Sequence, residues 1–297
     1  MNIRKLYERP FHHGNEKVAS LHYKLNKGFV NLFYPMFGKC GRGVDASSNV
    51  IVSLTTYPAR IDTVYLTVMT LLNQTVKPKF VMLWLANEQF PKGEEELPKK
   101  LLALKDKGLE IRFCDDLRPH KKYYYTMKEN PDCFVITADD DVFYPENLVE
   151  ELMEASKAYP DTVICTWGHR FISDDNGDVL SANKWEYLKD GTEPSYTVIP
   201  TGIGGVLYPP HVLSDEVFNK ESIKKLCLNA DDLWLKAMAL LNGKKAARVP
   251  GPARTFFTIL KTQDSGLYYD NALEDKNSVA WRNIMEAYPE CREKLLK

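Results

Sequence analysis

Short apolar segments that alternate with helical patterns constrain the fold of this chain more than any other feature. Each apolar segment has the length and the β-branched or aromatic content of a buried strand. These segments cover residues 49–54, 80–85, 109–113 and 133–137. The patterns that predict helices cover residues 64–72, 97–107 (ending at Gly108), 121–128 and 148–158. The alternation predicts an α/β fold with a mostly parallel, doubly wound sheet and helices on both faces.

The segments before and after this alternation differ from it in composition. Residues 1–45 are a basic, aromatic N-terminal extension, residues 46–255 are the main domain, and residues 256–297 are a C-terminal extension expected to pack on it. Basic charge beside aromatic side chains suits peripheral contact with anionic lipid. A packing arm that docks on the main domain explains the same pattern, and the sequence leaves both readings open.

Charge and cysteine content exclude several classes of function. The formal net charge is -1 and the pI is about 6.6, so no nucleic-acid partner is expected. None of the six cysteines forms a CxxC pair, which removes zinc-site spacing and favours free thiols in a reducing compartment. No apolar run approaches the roughly 18–20 residues of a membrane span. We therefore expect a cytoplasmic protein, at most peripheral at the inner face of a membrane.

Three consecutive aspartates, Asp139, Asp140 and Asp141, follow the fourth predicted strand. Ligands bind at this end of the strands in open parallel sheets. Like charges packed together are costly unless something positive lies among them. Because alternate residues of an extended backbone point to the same side, Asp139 and Asp141 are predicted to form an oxygen site for Mn²⁺ or Mg²⁺. A solvated acidic turn before a helix is the simpler alternative.

Two later motifs carry further candidate chemistry. Asp231 and Asp232 open a predicted helix, a position that suits either a helix cap or a catalytic base. Gly202, Gly204 and Gly205 lie in a glycine-rich stretch that permits close approach of the backbone to a ligand, although a plain loop has the same composition.

Charged residues after the strand ends form a third group of candidates. Cations at this edge suit a pyrophosphate, and an acid there suits a base or a ribose. For each of these residues taken alone, a place on the surface without a binding role is the simpler explanation. The group comprises Arg60, Asp115, Asp116, Arg118, Lys121 and Lys122.

The order of these features resembles the glycosyltransferases of the GT-A fold, and most of all the bacterial family 2-like members that build surface polysaccharides. An early strand, an acidic loop, a strand ending in Asp-x-Asp, a Gly-Gly loop and an Asp-Asp helix follow one another over residues 48–250. The most specific stretches are Thr137–Pro145 and Thr201–Pro209. The resemblance implies that residues 46–255 bind a nucleotide sugar and transfer its sugar.

The resemblance also implies a role for each candidate. Asp139 would contact the donor and, with Asp141, hold the Mn²⁺ or Mg²⁺ that bridges its diphosphate. Asp232 would be the catalytic base, with Asp231 in place of the family's usual Glu. The remaining donor contacts would come from Thr55, Arg60, Asp115, Asp116, Lys121, Lys122, Asp140, Gly202, Gly204 and Gly205. The implied partners are a nucleotide-sugar donor, with UDP-sugars favoured, and a glycan or lipid-linked acceptor.

Two other functions stay open at this point. Metal-dependent phosphoryl or nucleotidyl transfer also uses paired aspartates. A non-catalytic protein that binds a nucleotide or a glycan would need the same loops without a base. The sequence also departs from the family, since Ala86-Asn87-Glu88 stands where Asp-Gly-Ser is usual after the second strand.

Overall fold

The computed structural model describes an α/β protein over residues 2–8, 16–174, 178–260, 262 and 276–296. The strands in chain order are β1 (Val50–Thr55), β2 (Val81–Ala86), β3 (Leu109–Cys114), β4 (Phe134–Thr137), β5 (Val142–Phe143), β6 (Val163–Cys165), β7 (Gly168–Arg170), β8 (Glu186–Tyr187), β9 (Val198–Pro200), β10 (Val206–Tyr208), β11 (Ala246–Arg248) and β12 (Phe257–Thr258). The helices are α1 (Ile3–Glu8), α2 (Glu16–Phe37), α3 (Val64–Leu71), α4 (Lys99–Leu102), α5 (Lys121–Glu129), α6 (Leu148–Ala158), α7 (Lys220–Leu226), α8 (Asp231–Leu241), α9 (Lys276–Ala287) and α10 (Pro289–Leu295).

Seven of the described strands form the central sheet, in the order β11-β6-β10-β4-β1-β2-β3. Neighbouring strands are parallel, except that β10 runs antiparallel to both β4 and β6. The α/β fold with a mostly parallel sheet is therefore confirmed. The chain moves outward from β1 to β2 and β3, and then crosses to β4 on the other side of β1. Such a reversal of strand order is where ligands bind in open α/β sheets, outside the carboxyl ends of the strands.

A buried hydrogen-bond network holds α5 against the sheet. The hydroxyl oxygen of Thr126 lies 2.7 Å from Ser53 Oγ and accepts a hydrogen bond from Trp84 Nε1 at 2.7 Å. These partners come from β1 and β2, so α5 is fixed against two central strands. The position of Lys121 and Lys122, in the first turn of α5, follows from this packing.

One predicted helix is wrong in its extent. Residues 97–107 were expected to form a single helix, but the structure has only the one-turn α4 followed by a 3₁₀ turn at Lys105–Lys107. The carbonyl of Leu104 accepts hydrogen bonds from the amides of Lys107 and Leu109, which turns the chain directly into β3. Gly108 ends the turn as expected, with a left-handed φ of 103°.

Helices near both ends of the described chain contact the central elements of the fold. Glu146 accepts a hydrogen bond from the amide of Ile3 at 2.8 Å, and the Tyr7 hydroxyl donates to the carbonyl of Phe143 at 2.7 Å. At the other end, α9 and α10 contact α8, whereas residues 263–275 of the C-terminal extension lie outside the described residues. Among the described helices, none is both long and apolar enough to cross a membrane.

Candidate active site

The candidate site lies at the carboxyl edge of the sheet, where the strand order reverses. β1 ends at Thr55 and β4 ends at Thr137, two residues before the first aspartate of the acidic run. Helices α5 and α8 begin at the same edge, because Lys122 Nζ lies 3.0 Å from Asp231 Oδ2. A strand end and two helix starts therefore bring charged side chains together.

Lys122 joins two of the predicted carboxylates. Its Nζ lies 2.9 Å from Asp139 Oδ1 as well as 3.0 Å from Asp231 Oδ2. The side chain of Lys122 is 5% exposed, whereas that of Asp139 is 33% exposed and reaches solvent. Burial alone would lower the pKa of Lys122, but Asp139, Asp231 and Asp232 together hold it well above its usual value. Lys122 is thus a fixed cation at the centre of the site.

Asp232 is the acid best suited to accept a proton. Its Oδ2 accepts a hydrogen bond from the amide of Gly202 at 3.0 Å, and its side chain is partly exposed. Burial first, and the charge of Asp231 second, raise the pKa of Asp232 to about 7, although Lys122 opposes the shift. A carboxylate that titrates in this range can act as a general base near neutral pH.

Gly202 lies against Lys122, Asp139 and Asp232. A methyl group in place of its hydrogen would come within 3.0 Å of Lys122 Nζ, 3.1 Å of Asp139 Oδ1 and 3.3 Å of Asp232 Oδ1. The lack of a side chain therefore lets the loop backbone approach the charges and donate its amide hydrogen to Asp232.

The other two glycines of this loop contact different parts of the molecule. A methyl group on Gly204 would lie 2.4 Å from Thr166 Oγ1, and the Thr166 hydroxyl donates to the Gly204 carbonyl at 2.6 Å. Gly205 has a left-handed φ of 87° and lies against Leu148. Both were expected to face the donor sugar. In the structure the neighbours named above are Thr166 and Leu148, and contact of these two glycines with the donor stays a prediction.

Arg60 forms a second cationic centre. Its Nη1 lies 2.5 Å from Asp140 Oδ1, and its Nη2 lies 3.2 Å from Asp141 Oδ2. The Thr56 hydroxyl donates to Asp140 Oδ2 at 2.5 Å. Burial raises the pKa of Asp141 to about 6 and also raises that of Asp140, although Arg60 opposes both shifts. Arg60 was expected to contact the donor, and here it pairs with Asp140 and Asp141, two of the three aspartates of the acidic run.

The acidic run is divided between these two cations. Asp139 faces Lys122 and Asp141 faces Arg60, although the charge of Asp139 still acts on Asp141. In the part of the chain that the structure describes, no group of three or more His, Cys, Asp or Glu residues is arranged to hold a metal ion. Magnesium commonly takes one or two carboxylates, with water and substrate phosphates as its other ligands. Asp139 and Asp141 carry the hard oxygen atoms that such a cation prefers, and in this structure each is paired with a cation of the protein itself.

A second charged patch follows β3. Lys121 Nζ lies 2.5 Å from Asp116 Oδ1, and Asp115 accepts hydrogen bonds from the Tyr125 hydroxyl and, at 2.9 Å, from Lys220 Nζ. Burial alone would raise the pKa of both carboxyl groups, but these donors lower it. Because Lys121 precedes Lys122, the first turn of α5 connects this patch to the Asp139 site.

The structure places Thr56, the residue after the predicted Thr55, against the acidic run. The Thr55 hydroxyl donates to the carbonyl of Trp84 at 2.9 Å within the sheet, whereas Thr56 reaches the acidic run. Strand alternation could have separated Thr55 from Thr56, since successive side chains of a strand point to opposite faces.

Tyr144 was not among the predicted site residues, because a tyrosine in this position carries no sequence signal for a role in the site. Its hydroxyl accepts a hydrogen bond from the Asp139 amide at 2.8 Å and fixes the backbone there.

Comparison with known proteins gives structural likenesses only. No protein-family model matches the chain, and no curated protein does. S. aureus TarS 1-349 in complex with UDP is similar at a TM-score of 0.46 and 14% identity, over 74% of this chain and 62% of that one. A second structure of S. aureus TarS 1-349 has a TM-score of 0.41 and 15% identity, over 69% and 58%. CMP:2-keto-3-deoxy-manno-octonic acid synthetase complexed with CTP has a TM-score of 0.41 and 13% identity, over 77% and 98%. This chain thus spans about three fifths of the TarS structures.

Proposed function

We propose that this protein is a metal-dependent glycosyltransferase of bacterial surface polysaccharide synthesis. It moves a sugar from a nucleotide-diphosphate sugar, with UDP-sugars preferred, to a hydroxyl group of a glycan or lipid-linked acceptor. The observation that carries the proposal is the convergence of Asp139, Lys122, Asp232 and Gly202 at the point where the strand order reverses. A partly exposed base and a fixed cation meet there, at the edge where α/β sheets bind ligands.

The chemical difficulty of this reaction is the departure of a nucleoside diphosphate. Negative charge grows on the leaving phosphate oxygen, so positive charge must lie nearby. Lys122 and Arg60 supply fixed positive charge at this edge. Asp139 and Asp141 would hold Mn²⁺ or Mg²⁺, which when bound supplies Lewis-acid stabilisation of the diphosphate.

Asp232 completes the reaction by removing the proton from the attacking hydroxyl group. Its Oδ2 is held by the Gly202 amide, which orients the carboxylate without neutralising it. Lys122 stays protonated and keeps Asp139 and Asp231 in place rather than transferring a proton itself. With Asp232 as a base for the acceptor, attack comes from the face opposite the leaving group, and the anomeric configuration inverts.

The substitution Asp232→Asn tests the role of the base. We expect turnover to fall by about 10³-fold, in the range of lost general-base catalysis, while UDP binding measured by calorimetry with Mn²⁺ is kept. Asp132→Asn is a matched control, because the same change is made on a side chain that is 88% exposed. Unchanged turnover in Asp232→Asn would reject the assignment of the base.

The product released separates this function from its two rivals. Mn²⁺-dependent release of UDP or GDP from a nucleotide sugar, together with a new glycosidic product, supports glycosyl transfer. Release of pyrophosphate from a nucleoside triphosphate would indicate nucleotidyl transfer instead. Tight nucleotide binding with neither product would indicate a non-catalytic binding protein.

A further inference from the structure

Helix α2 carries a row of exposed apolar side chains along its whole length. At 3.6 residues per turn, positions separated by three and four residues fall on one face. The row consists of Val18, Leu21, Leu25, Phe29, Leu32 and Met36. Their exposure ranges from 37% for Val18 to 62% for Leu32. Single exposed apolar residues are ordinary, but a continuous row of this length marks an interaction surface.

The opposite face of α2 is already used for packing. Val30 and Tyr34 are buried against the main domain. Asn31 Nδ2 donates to the carbonyl of Thr258 at 3.1 Å, and the amide of Leu260 donates to Asn31 Oδ1 at 2.8 Å. These bonds fix the rotation of the helix about its axis. Because the opposite face is bound to the main domain, the apolar row faces away from the core.

The charged residues in the segment from Lys17 to Val44 are all basic. No Asp or Glu occurs between Lys17 and Val44, although the whole chain has 40 acidic and 39 basic residues. The exposed basic side chains of this stretch are Lys17, Lys24, Lys39 and Arg42. A surface that is apolar along one line and basic beside it matches the acyl chains and headgroups of an anionic bilayer.

We propose that α2 lies in the surface of an anionic membrane, with its apolar row among the acyl chains and its lysines at the headgroups. The helix has 22 residues and is about 33 Å long, which lets it lie flat in the interface. A second copy of the chain fits the row less well. Two such helices paired by a twofold axis would bring basic side chains against basic side chains.

This orientation would bring the candidate site near the membrane. The inner face of α2 contacts β12, and the next residue after β12, Ile259, donates its amide hydrogen to the carbonyl of Asp141 at 2.7 Å. The short segment from β12 to Ile259 therefore contacts both α2 and the acidic run. The proposal itself concerns binding and does not depend on the reaction proposed above.

Vesicle sedimentation with the full chain tests the proposal. We expect binding to phosphatidylcholine vesicles that contain phosphatidylglycerol and much weaker binding to phosphatidylcholine alone. Leu32→Ser should weaken binding to the mixed vesicles about tenfold, because a large apolar side chain no longer enters the acyl region. Lys24→Gln should weaken it about fivefold, and salt should reduce that difference.

Matched controls lie elsewhere on the surface. Leu296→Ser changes a leucine with the same 62% exposure as Leu32, and Lys224→Gln changes an exposed lysine of α7; neither should alter binding. Equal binding of Leu32→Ser and the unaltered protein, or equal binding to both kinds of vesicle, overturns the proposal. A dimer in lipid-free buffer that Leu32→Ser dissociates, measured by analytical ultracentrifugation, also overturns it and assigns the row to a second copy.

Discussion

Replacing Gly202 by alanine probes the charged site with a single methyl group. Gly202 does not have a left-handed φ, so alanine costs no backbone strain. The methyl group would lie 3.0 Å from Lys122 Nζ, 3.1 Å from Asp139 Oδ1 and 3.3 Å from Asp232 Oδ1, which forces these atoms to retreat by a few tenths of an ångström. Because a displacement of about 1 Å can cost about 10²-fold in rate, we expect kcat/KM to fall about tenfold. This corresponds to about 1.4 kcal/mol of barrier.

The test of Gly202→Ala requires measurements of both turnover and stability. We expect the free energy of unfolding, from urea titration, to change by about 1 kcal/mol or less, as for mild overpacking. Gly41→Ala is the control, because a methyl group there would meet nothing within 4 Å. If Gly202→Ala kept full kcat/KM, the charges around Gly202 would not form the reacting site. The convergence of Asp139, Lys122, Asp232 and Gly202 would then no longer support the proposed function.

Four further predictions concern charge, pH and packing. Lys122→Met should lower the free energy of unfolding by about 3 kcal/mol, because it leaves the buried Asp231 and the partly exposed Asp139 without their cation; urea unfolding with no loss of stability would exclude this pairing as a source of stability. Since Asp232 must be ionised to act and its pKa is raised to about 7, kcat/KM should rise with pH up to about 7 and then level, and a pH profile that is flat over this range contradicts the base. The same raised pKa favours the protonated folded form, so stability is lost as pH rises from the unfolded pKa of about 4 through 7, and Asp232→Asn should be more stable than the unaltered protein near pH 8 by about 1 kcal/mol. Gly204→Ala should lower the Tm by about 5 °C in a thermal melt, because its methyl group would lie 2.4 Å from Thr166 Oγ1; an unchanged Tm would mean that the loop relaxes at no cost.

Much of the fold could be predicted because its signals are local. The apolar segments became β1 to β4 within one residue at each end, α6 has the predicted bounds, and α8 begins at Asp231 as expected. The prediction of one helix over residues 97–107 was wrong, because a backbone turn into β3 ends the helix early. Side-chain periodicity does not indicate such turns. The antiparallel direction of β10 likewise depends on how the chain returns to the sheet, which no window of sequence contains.

The site could be predicted only as a set of candidates. Asp139 was chosen because it follows a strand that ends at the carboxyl edge, and Asp232 because it lies at the start of a predicted helix and the resemblance implies that it is the base. The partners of these acids come from far along the chain, and no spacing rule reveals them. Lys122 was assigned to a pyrophosphate, yet it lies between two carboxylates. The outer face of α2 shows the same limit, since the sequence could not decide whether the segment docks or meets a membrane, and the structure shows one face docked and the other exposed.

The balance of charge at the site gives a physical reason for a cation to enter with the donor. Asp139, Asp140, Asp141, Asp231 and Asp232 each form an ion pair with Lys122 or Arg60 or act electrostatically on one of them, and Lys27 also acts on Asp141. Carboxylates gathered at this edge repel a free diphosphate. The pKa of Asp141 is raised, because Arg60 does not fully offset its burial and its acidic neighbours. A divalent cation would offset both the carboxylates and the diphosphate, so we expect UDP alone to bind at least tenfold more weakly than UDP with Mn²⁺. Calorimetry in the presence of a chelator measures this difference, and equal affinity under both conditions would show that Lys122 and Arg60 suffice to hold the diphosphate.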